Sequence, residues 1–197
     1  VDDKRRLILD QALALVDERG LAAMSMRAVA ERVGLTSMAL YPYVGGKDAL
    51  LDGLVDLLNL ELESTGTNEE SGWRDRFRAL GRAVRALAQR HPSAFPLLLN
   101  RSADGASAAW LTAALRGVLH DAGVPDAEVP RLGRMICAFL LGYATGEATG
   151  GLPADQGPDD FDADLGDLVR LIEIRSGGGS GTPSRPDRPG SRPEPRR

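Results

Sequence analysis

The sequence predicts an all-α fold, and three observations carry that prediction. Hydrophobic residues make up 43% of the 197 residues and aromatics only 5%, with Leu and Ala supplying most of the apolar side chains. Apolar residues recur at spacings of three and four, the period of one helix face. Val, Ile and Thr never gather into alternating runs, so half-buried strands have no signature. A chain of this length holds one mid-sized domain or two small ones.

The first helix is expected from about Asp3 to Arg19, where Ile8, Ala12, Leu15 and Val16 form one stripe and Gly20 ends it in a left-handed cap. Ser25 is the N-cap of a short helix carrying Met26, Val29, Ala30 and Val33, and Gly34 closes it. Thr36 caps the next, from about Ser37 to Val44, with Leu40 and Val44 as its inward pair and Gly45-Gly46 as its breaker. Lys47 starts a Leu-rich helix to about Glu63. The polar stretch Ser64–Gly72 marks a boundary. Further helices are expected at about Trp73–Arg90, after Pro92 (a residue suited to a first helical turn), at about Ala106–Ala122, at about Asp126–Ala148, and at about Phe161–Ile174. The Gly/Ser/Pro/Arg composition after Gly177 predicts a disordered end, and its Arg185, Arg188, Arg192, Arg196 and Arg197 could add nonspecific affinity for an anionic polymer.

The formal net charge is −4 and the sequence pI about 5.3, which excludes a general nucleic-acid coat protein; any DNA site must be a local cluster. Cys137 is the only cysteine, as expected in a reducing cytoplasm. No apolar run reaches the ~18–20 residues that span a bilayer. The opening Val1-Asp2-Asp3-Lys4-Arg5-Arg6 leads into a stretch containing Asp10 and Asp17, which is not a signal peptide, and the missing initiator Met implies a start inside a longer native chain. There is no Gly-x-Ser-x-Gly elbow, phosphate-cradling Gly loop or His pair at ligand spacing, so no enzyme, cofactor or metal site is expected.

Two short helices joined at Gly34-Leu35-Thr36 have the order of a helix-turn-helix. Gly34 supplies positive φ, and Leu35 plugs the angle between the helices. In such a unit the second helix presents its N-terminal side chains to the major groove. Here these are Ser37, Met38, Ala39 and Tyr41, small or apolar groups that allow close approach and contact with a thymine methyl. Thr36 and the free amides beside it suit a phosphate, as do the hydroxyls of Tyr41 and Tyr43 and the cation of Lys47. Arg27 is the candidate for bidentate contact with guanine. A helix–Gly–helix turn also occurs in ordinary bundles, where Tyr41 and Tyr43 would pack and Lys47 would be solvated.

The ordered segment Gly20–Leu51 resembles the TetR-family DNA-binding domain: the Gly20 turn, Ser25 with Arg27, Val29-Ala30, Gly34-Leu35, Leu40-Tyr41, Val44, and Lys47 followed by Leu50-Leu51. The resemblance covers about Asp3–Leu60 and continues more weakly through Trp73-Arg74 and His91-Pro92. It implies a helix-turn-helix domain over residues 1–46, a linking helix over 47–63, and a ligand-binding and dimerisation domain over 72–175, with 176–197 as a tail. It further implies a cytoplasmic homodimeric repressor that binds a palindromic double-stranded DNA operator and is released by a small-molecule effector. Arg27, Thr36, Ser37, Met38, Ala39, Tyr41, Tyr43 and Lys47 become the DNA-contacting set. Pro42 inside the recognition helix and Tyr43, where the family often has His, depart from the pattern and put the bases read in question. Pro42 is expected to distort the last turn.

Phe77, Leu80, Val84, Phe95, Leu98, Leu99, Trp110, Met135, Phe139 and Tyr143 are candidate pocket lining, although ordinary core explains most of them equally well. Leu80 and Leu97 stand where the tetracycline-responsive member has a drug-binding amide and a metal-ligating His, so the resemblance implies a neutral or hydrophobic ligand and no metal. His91 is expected to cap a helix or lie at the surface, His120 to sit near a helix C-terminus, and Cys137 to be core. Asp160, Asp162 and Asp164 fit a helix dipole better than a calcium loop, because Gly166 comes one residue late and Leu171 takes the closing position. The dimer interface is expected on Leu132, Ile136 and Leu140 with Leu165, Leu168, Val169 and Ile172; burial within one chain is the alternative. A ligand-independent activator or architectural factor with a solid core is the competing function.

Overall fold

The computed structural model describes residues 2–65, 71–100, 110–152 and 158–177, and among them the fold is all-α. Helix α1 (Asp2–Arg19) buries Ile8, Leu9, Ala12, Leu15 and Val16 on one face and ends where the Gly20 N–H donates to the Val16 carbonyl, at φ 80°. A 3-10 turn (Leu21–Ala23) leads to α2 (Met26–Arg32), whose first turn is capped by Ser25 Oγ accepting from the Ala28 N–H at 3.1 Å. After Gly34, the Leu35 N–H donates back to the Ala30 carbonyl at 2.9 Å, and α3 (Ser37–Val44) begins. Arg32 holds the head together: it donates to Gln11 and to Glu18, both on α1.

Helix α4 (Lys47–Ser64) buries Leu50, Leu51, Leu54, Val55, Leu57, Leu58 and Leu62, too wide a set for one face. It packs on α1 and α3 on one side and on helices of the C-terminal unit on the other. Buried positions on this much of the circumference need neighbours on two sides, while Ala49, Leu60 and Glu63 mark the strip left open. Where α1 crosses it, α4 carries Gly53, whose missing side chain leaves room for Leu9.

In the C-terminal unit, α5 (Trp73–Arg90) is the central helix, turning Phe77, Leu80, Val84 and Leu87 inward. The short α6 (Leu97–Asn100), α7 (Trp110–Asp121), α8 (Val129–Ala148) and α9 (Pro158–Gly177) complete the bundle, with α7, α8 and α9 packed on α5. Helices α8 and α9 run antiparallel: Tyr143 meets Phe161 at 4.9 Å between ring centroids, and Arg175 reaches Glu128.

Several boundaries differ from expectation. Pro92 does not open a helix; residues 92–96 form a turn in which the Ala94 and Phe95 N–H groups donate to the His91 carbonyl, and Pro96 has no N–H with which to extend it. Residues 126–128 are likewise a turn before α8. Helix α9 starts early, at Pro158, placing Asp160 in its first turn, where the dipole favours an acid. Residues 106–109 of the expected seventh helix, and the Arg-rich tail, lie outside the described residues.

Two expectations are corrected by burial. Leu132, Ile136, Leu140, Leu165, Val169 and Ile172 are fully covered by their own chain, leaving no surface for a second copy, and Leu168 alone of that set is half-buried. An apolar stripe says that something covers it, not what; here the neighbouring helices of the same bundle do. Of the pocket candidates, Leu99 and Met135 face solvent and line nothing inside, whereas Phe77, Leu80, Val84 and Phe95 are buried and Leu98, Trp110, Phe139 and Tyr143 half-buried.

A Cβ at position 53 would stand 2.5 Å from Leu9 Cδ2. Gly53→Val overpacks this crossing and is expected to cost about 1–3 kcal/mol. Urea unfolding checks it: the midpoint should fall at constant slope, and an unchanged midpoint would contradict the close approach.

Candidate nucleic-acid interface

Helix α3 is held by its two ends and its inward face. Leu40 and Val44 are buried against the head, while Met38 and Tyr41 are 77% and 49% exposed on the opposite side. Thr36 Oγ1 accepts from the Ala39 N–H at 3.3 Å; its own proton remains available to donate outward. Ser37 and Ala39 are half-buried and small, and they let the helix start come close to a flat polyanion. The unsatisfied amides of this first turn favour an anion.

Pro42 does not break or shorten α3, which continues to Val44 and closes with the Gly45 N–H donating to the Tyr41 carbonyl at 2.9 Å. The backbone bond that Pro42 removes is the one to the carbonyl of Met38, a residue on the exposed face of the helix.

The flanking cations differ in state. Arg27 is fully exposed and donates to Glu31 at 2.8 Å, a hydrogen bond that holds its guanidinium above the usual arginine range. Such a solvated i,i+4 pair contributes little to stability and exchanges readily for another anion. Lys47 is exposed at the start of α4. Sequence reasoning missed Lys4: its ammonium lies 5.4 Å from the centre of the Tyr43 ring, which is half-buried. This cation–π contact fixes Tyr43 against α1 and adds a positive charge beside the end of α3. The run Lys4-Arg5-Arg6 was the available signal.

A second polar cluster lies in the C-terminal unit. Arg85 Nε donates to Glu147 Oε2 at 2.7 Å, and its guanidinium sits 5.1 Å from the centre of the Phe161 ring. Phe161 touches Tyr143, which touches Phe139 at 5.7 Å. The hydrogen bond from Arg85 holds the Glu147 carboxyl below the usual carboxylate range, while burial pushes the Tyr143 hydroxyl up. Burial also raises the Cys137 thiol, as for a packed rather than reactive cysteine. The pair went unseen in the sequence because its members are 62 residues apart. Asp162, one of the acidic run, pairs with Arg82 at 2.9 Å on α5.

A capped helix with an apolar inner face and an open outer face, set on a two-helix support, defines a helix-turn-helix unit. The chain belongs to the TetR family: residues 8–54 match the pattern described as bacterial regulatory proteins, tetR family, and residues 77–168 match the tetracyclin repressor-like C-terminal domain. It is 31% identical over 137 residues to the HTH-type transcriptional repressor DrrR1 of Streptomyces coeruleorubidus, covering 70% of this chain and 51% of that protein. The chain thus spans about half the length of that curated relative. Its fold is shared with apo ActR of Streptomyces coelicolor, at TM-score 0.76 and 21% identity over 88% of this chain and 96% of that one. ActR has also been solved in complex with actinorhodin, at TM-score 0.71 and 21% identity over 88% of this chain and 98% of that one. BioQ, solved with its natural double-stranded DNA operator, matches at TM-score 0.73 and 23% identity over 86% of this chain and 98% of that one.

The Arg85–Glu147 pair makes acid sensitivity testable. A carboxyl depressed in the folded state adds stability that is present above its unfolded value of about 4.3 and is lost as pH falls through the folded one. Glu147→Gln is therefore expected to destabilise at pH 7 by about 1–3 kcal/mol and by much less near pH 3. Thermal unfolding at the two pH values checks this; an equal loss at both would contradict the pairing.

Proposed function

We propose that this chain is a homodimeric repressor that binds a palindromic operator through α3 and leaves it when a small hydrophobic ligand binds the C-terminal bundle. The observation that carries the DNA half is the outward face of α3. Exposed Met38 and Tyr41 have no packing role, and Thr36, Ser37, Ala39, Tyr43, Arg27, Lys47 and Lys4 surround them with small, hydroxyl-bearing or cationic groups. Membership of a regulator family, the repressor DrrR1 and the operator-bound BioQ support this reading. Two copies would place their α3 helices in half-sites about one helical turn apart, ~34–36 Å, so a small spread between heads would weaken both contacts.

For the effector half, Phe77, Leu80, Val84, Phe95, Leu98, Trp110, Phe139 and Tyr143 supply the apolar side chains around α5, and actinorhodin-bound ActR is the supporting parallel. Arg85 and Glu147 beside the aromatic cluster would read a polar group on an otherwise apolar ligand. For the dimer, the exposed remainder of α8 and α9 replaces the buried stripe. Met135 (42% exposed), Ala138 and Gly142 lie on one side of α8, and Leu171 and Ile174 (70% exposed) lie on α9.

Selection of bound duplexes from a random pool, followed by affinity measurement, tests the DNA reading. Tyr41→Ala with Lys47→Ala is expected to lower affinity for the selected duplex about a hundredfold or more, with unchanged unfolding. Unchanged affinity in that double variant would sink the assignment. Met135→Glu with Ile174→Glu should give monomers in sedimentation equilibrium, and a persisting dimer would refute the proposed face.

A further inference from the structure

The residue after α5 carries a contact that joins the two halves of the chain. The His91 backbone belongs to the C-terminal unit: its N–H donates to the Leu87 carbonyl at 3.0 Å, and its carbonyl accepts from Ala94 and Phe95 at 3.1 and 2.8 Å. Its ring reaches out of that unit. Nδ1 lies 2.7 Å from Asp17 Oδ2, in the last turn of α1, and Nε2 lies 3.0 Å from Glu61 Oε2, on α4. The other oxygen of Glu61 takes the Arg90 guanidinium at 2.6 Å. Helix α1 otherwise packs mainly on α2, α3 and α4. One imidazole therefore ties the DNA-facing head, the connecting helix and the bundle at a single point, three residues before the Gly20 turn.

The chemistry of the ring decides when the tie holds. An ionised carboxylate only accepts hydrogen bonds, and a neutral imidazole donates from one nitrogen while the other presents a lone pair. A neutral ring would set that lone pair against a carboxylate oxygen at 2.7 or 3.0 Å. The doubly protonated ring makes both contacts at once. Little water is at hand to replace a lost bond: the His91 side chain is 15% exposed, and Asp17 Oδ1 is already buried without a partner. The charged groups facing the ring are Asp17 from α1, Glu61 from α4 and Arg90 from α5. Arg6 and Asp10, beside Glu61 in a shallow groove, pair with each other at 2.9 Å. Among these side-chain types only histidine ordinarily changes charge between about pH 5 and 8.

We propose that His91 is a charge-dependent clasp between the C-terminal bundle and the DNA-binding head, closed when its ring is protonated and loosened when it is neutral. Its effect on operator binding rests on the DNA reading above; the clasp itself does not.

Hydrogen–deuterium exchange on the full chain, corrected for intrinsic rates and run at about pH 6 and pH 8.5, tests it. In the wild type, protection of the last turns of α1 and α4 is expected to fall about five- to tenfold at the higher pH, the equivalent of one hydrogen bond, with α8 unchanged. His91→Gln, whose amide offers one donor end, should show the loosened level at both pH values. Should that variant fail to fold, Asp17→Asn keeps the shape of the site and should abolish the same step. A wild type without the step, or a variant that retains it, overturns the clasp. In a parallel arm, affinity for a duplex selected by the wild type should fall about tenfold more across this pH range in the wild type than in His91→Gln. Equal falls would overturn the link to DNA. A wild type that binds no duplex would defeat the DNA reading and leave the exchange result to decide the clasp.

Discussion

Helix α4 is buried over well more than half of its circumference, and that constraint organises the molecule. Its leucines must be covered by α1 and α3 on one flank and by the C-terminal bundle on the other. Neither half can bury α4 alone. The head and the bundle are thereby obliged to share a helix, one that touches both α3 and the bundle. Gly53 tightens this further by letting Leu9 seat directly against the α4 backbone. The Glu61–Arg90 ion pair near the C-terminal end of α4, and the Glu61–His91 contact beside it, add direction to what would otherwise be a greasy and slippable contact.

The head is built to be rigid in order to present something soft. Ser25 and Thr36 cap its two short helices, and Gly20, Gly34 and Gly45 take the positive φ angles its turns need. Arg32 bolts α2 to α1. The outward groups are by contrast a flexible thioether, a phenol and solvated cations. None of them contributes much to folding, so they are free to serve recognition. This division also fits the charge pattern: the chain is acidic on average, yet Lys4, Arg27 and Lys47 place cations around the outward face of α3.

What the sequence made legible was punctuation and periodicity. Caps and turn glycines act over three or four residues, so Ser25, Gly34, Thr36 and Gly45 could be placed, and α3 with them. The inward pair Leu40 and Val44 followed from spacing alone. What escaped was everything set by distant partners. The stripe on α8 and α9 was visible, yet the chain itself covers it, and only burial distinguishes a core face from a docking face. His91 was read as a cap at a helix start or a surface residue, but it closes the C-terminal end of α5 and its ring partners lie 74 and 30 residues away. Arg85 with Glu147, and Lys4 over Tyr43, escaped for the same reason.

The most direct measurement of the central claim is a map of backbone amide chemical shifts as a selected duplex is titrated into the full chain. The account predicts that the largest changes cluster at Thr36–Tyr43, with secondary changes near Lys4, Arg27 and Lys47. Changes centred on another surface, with α3 silent, would contradict it.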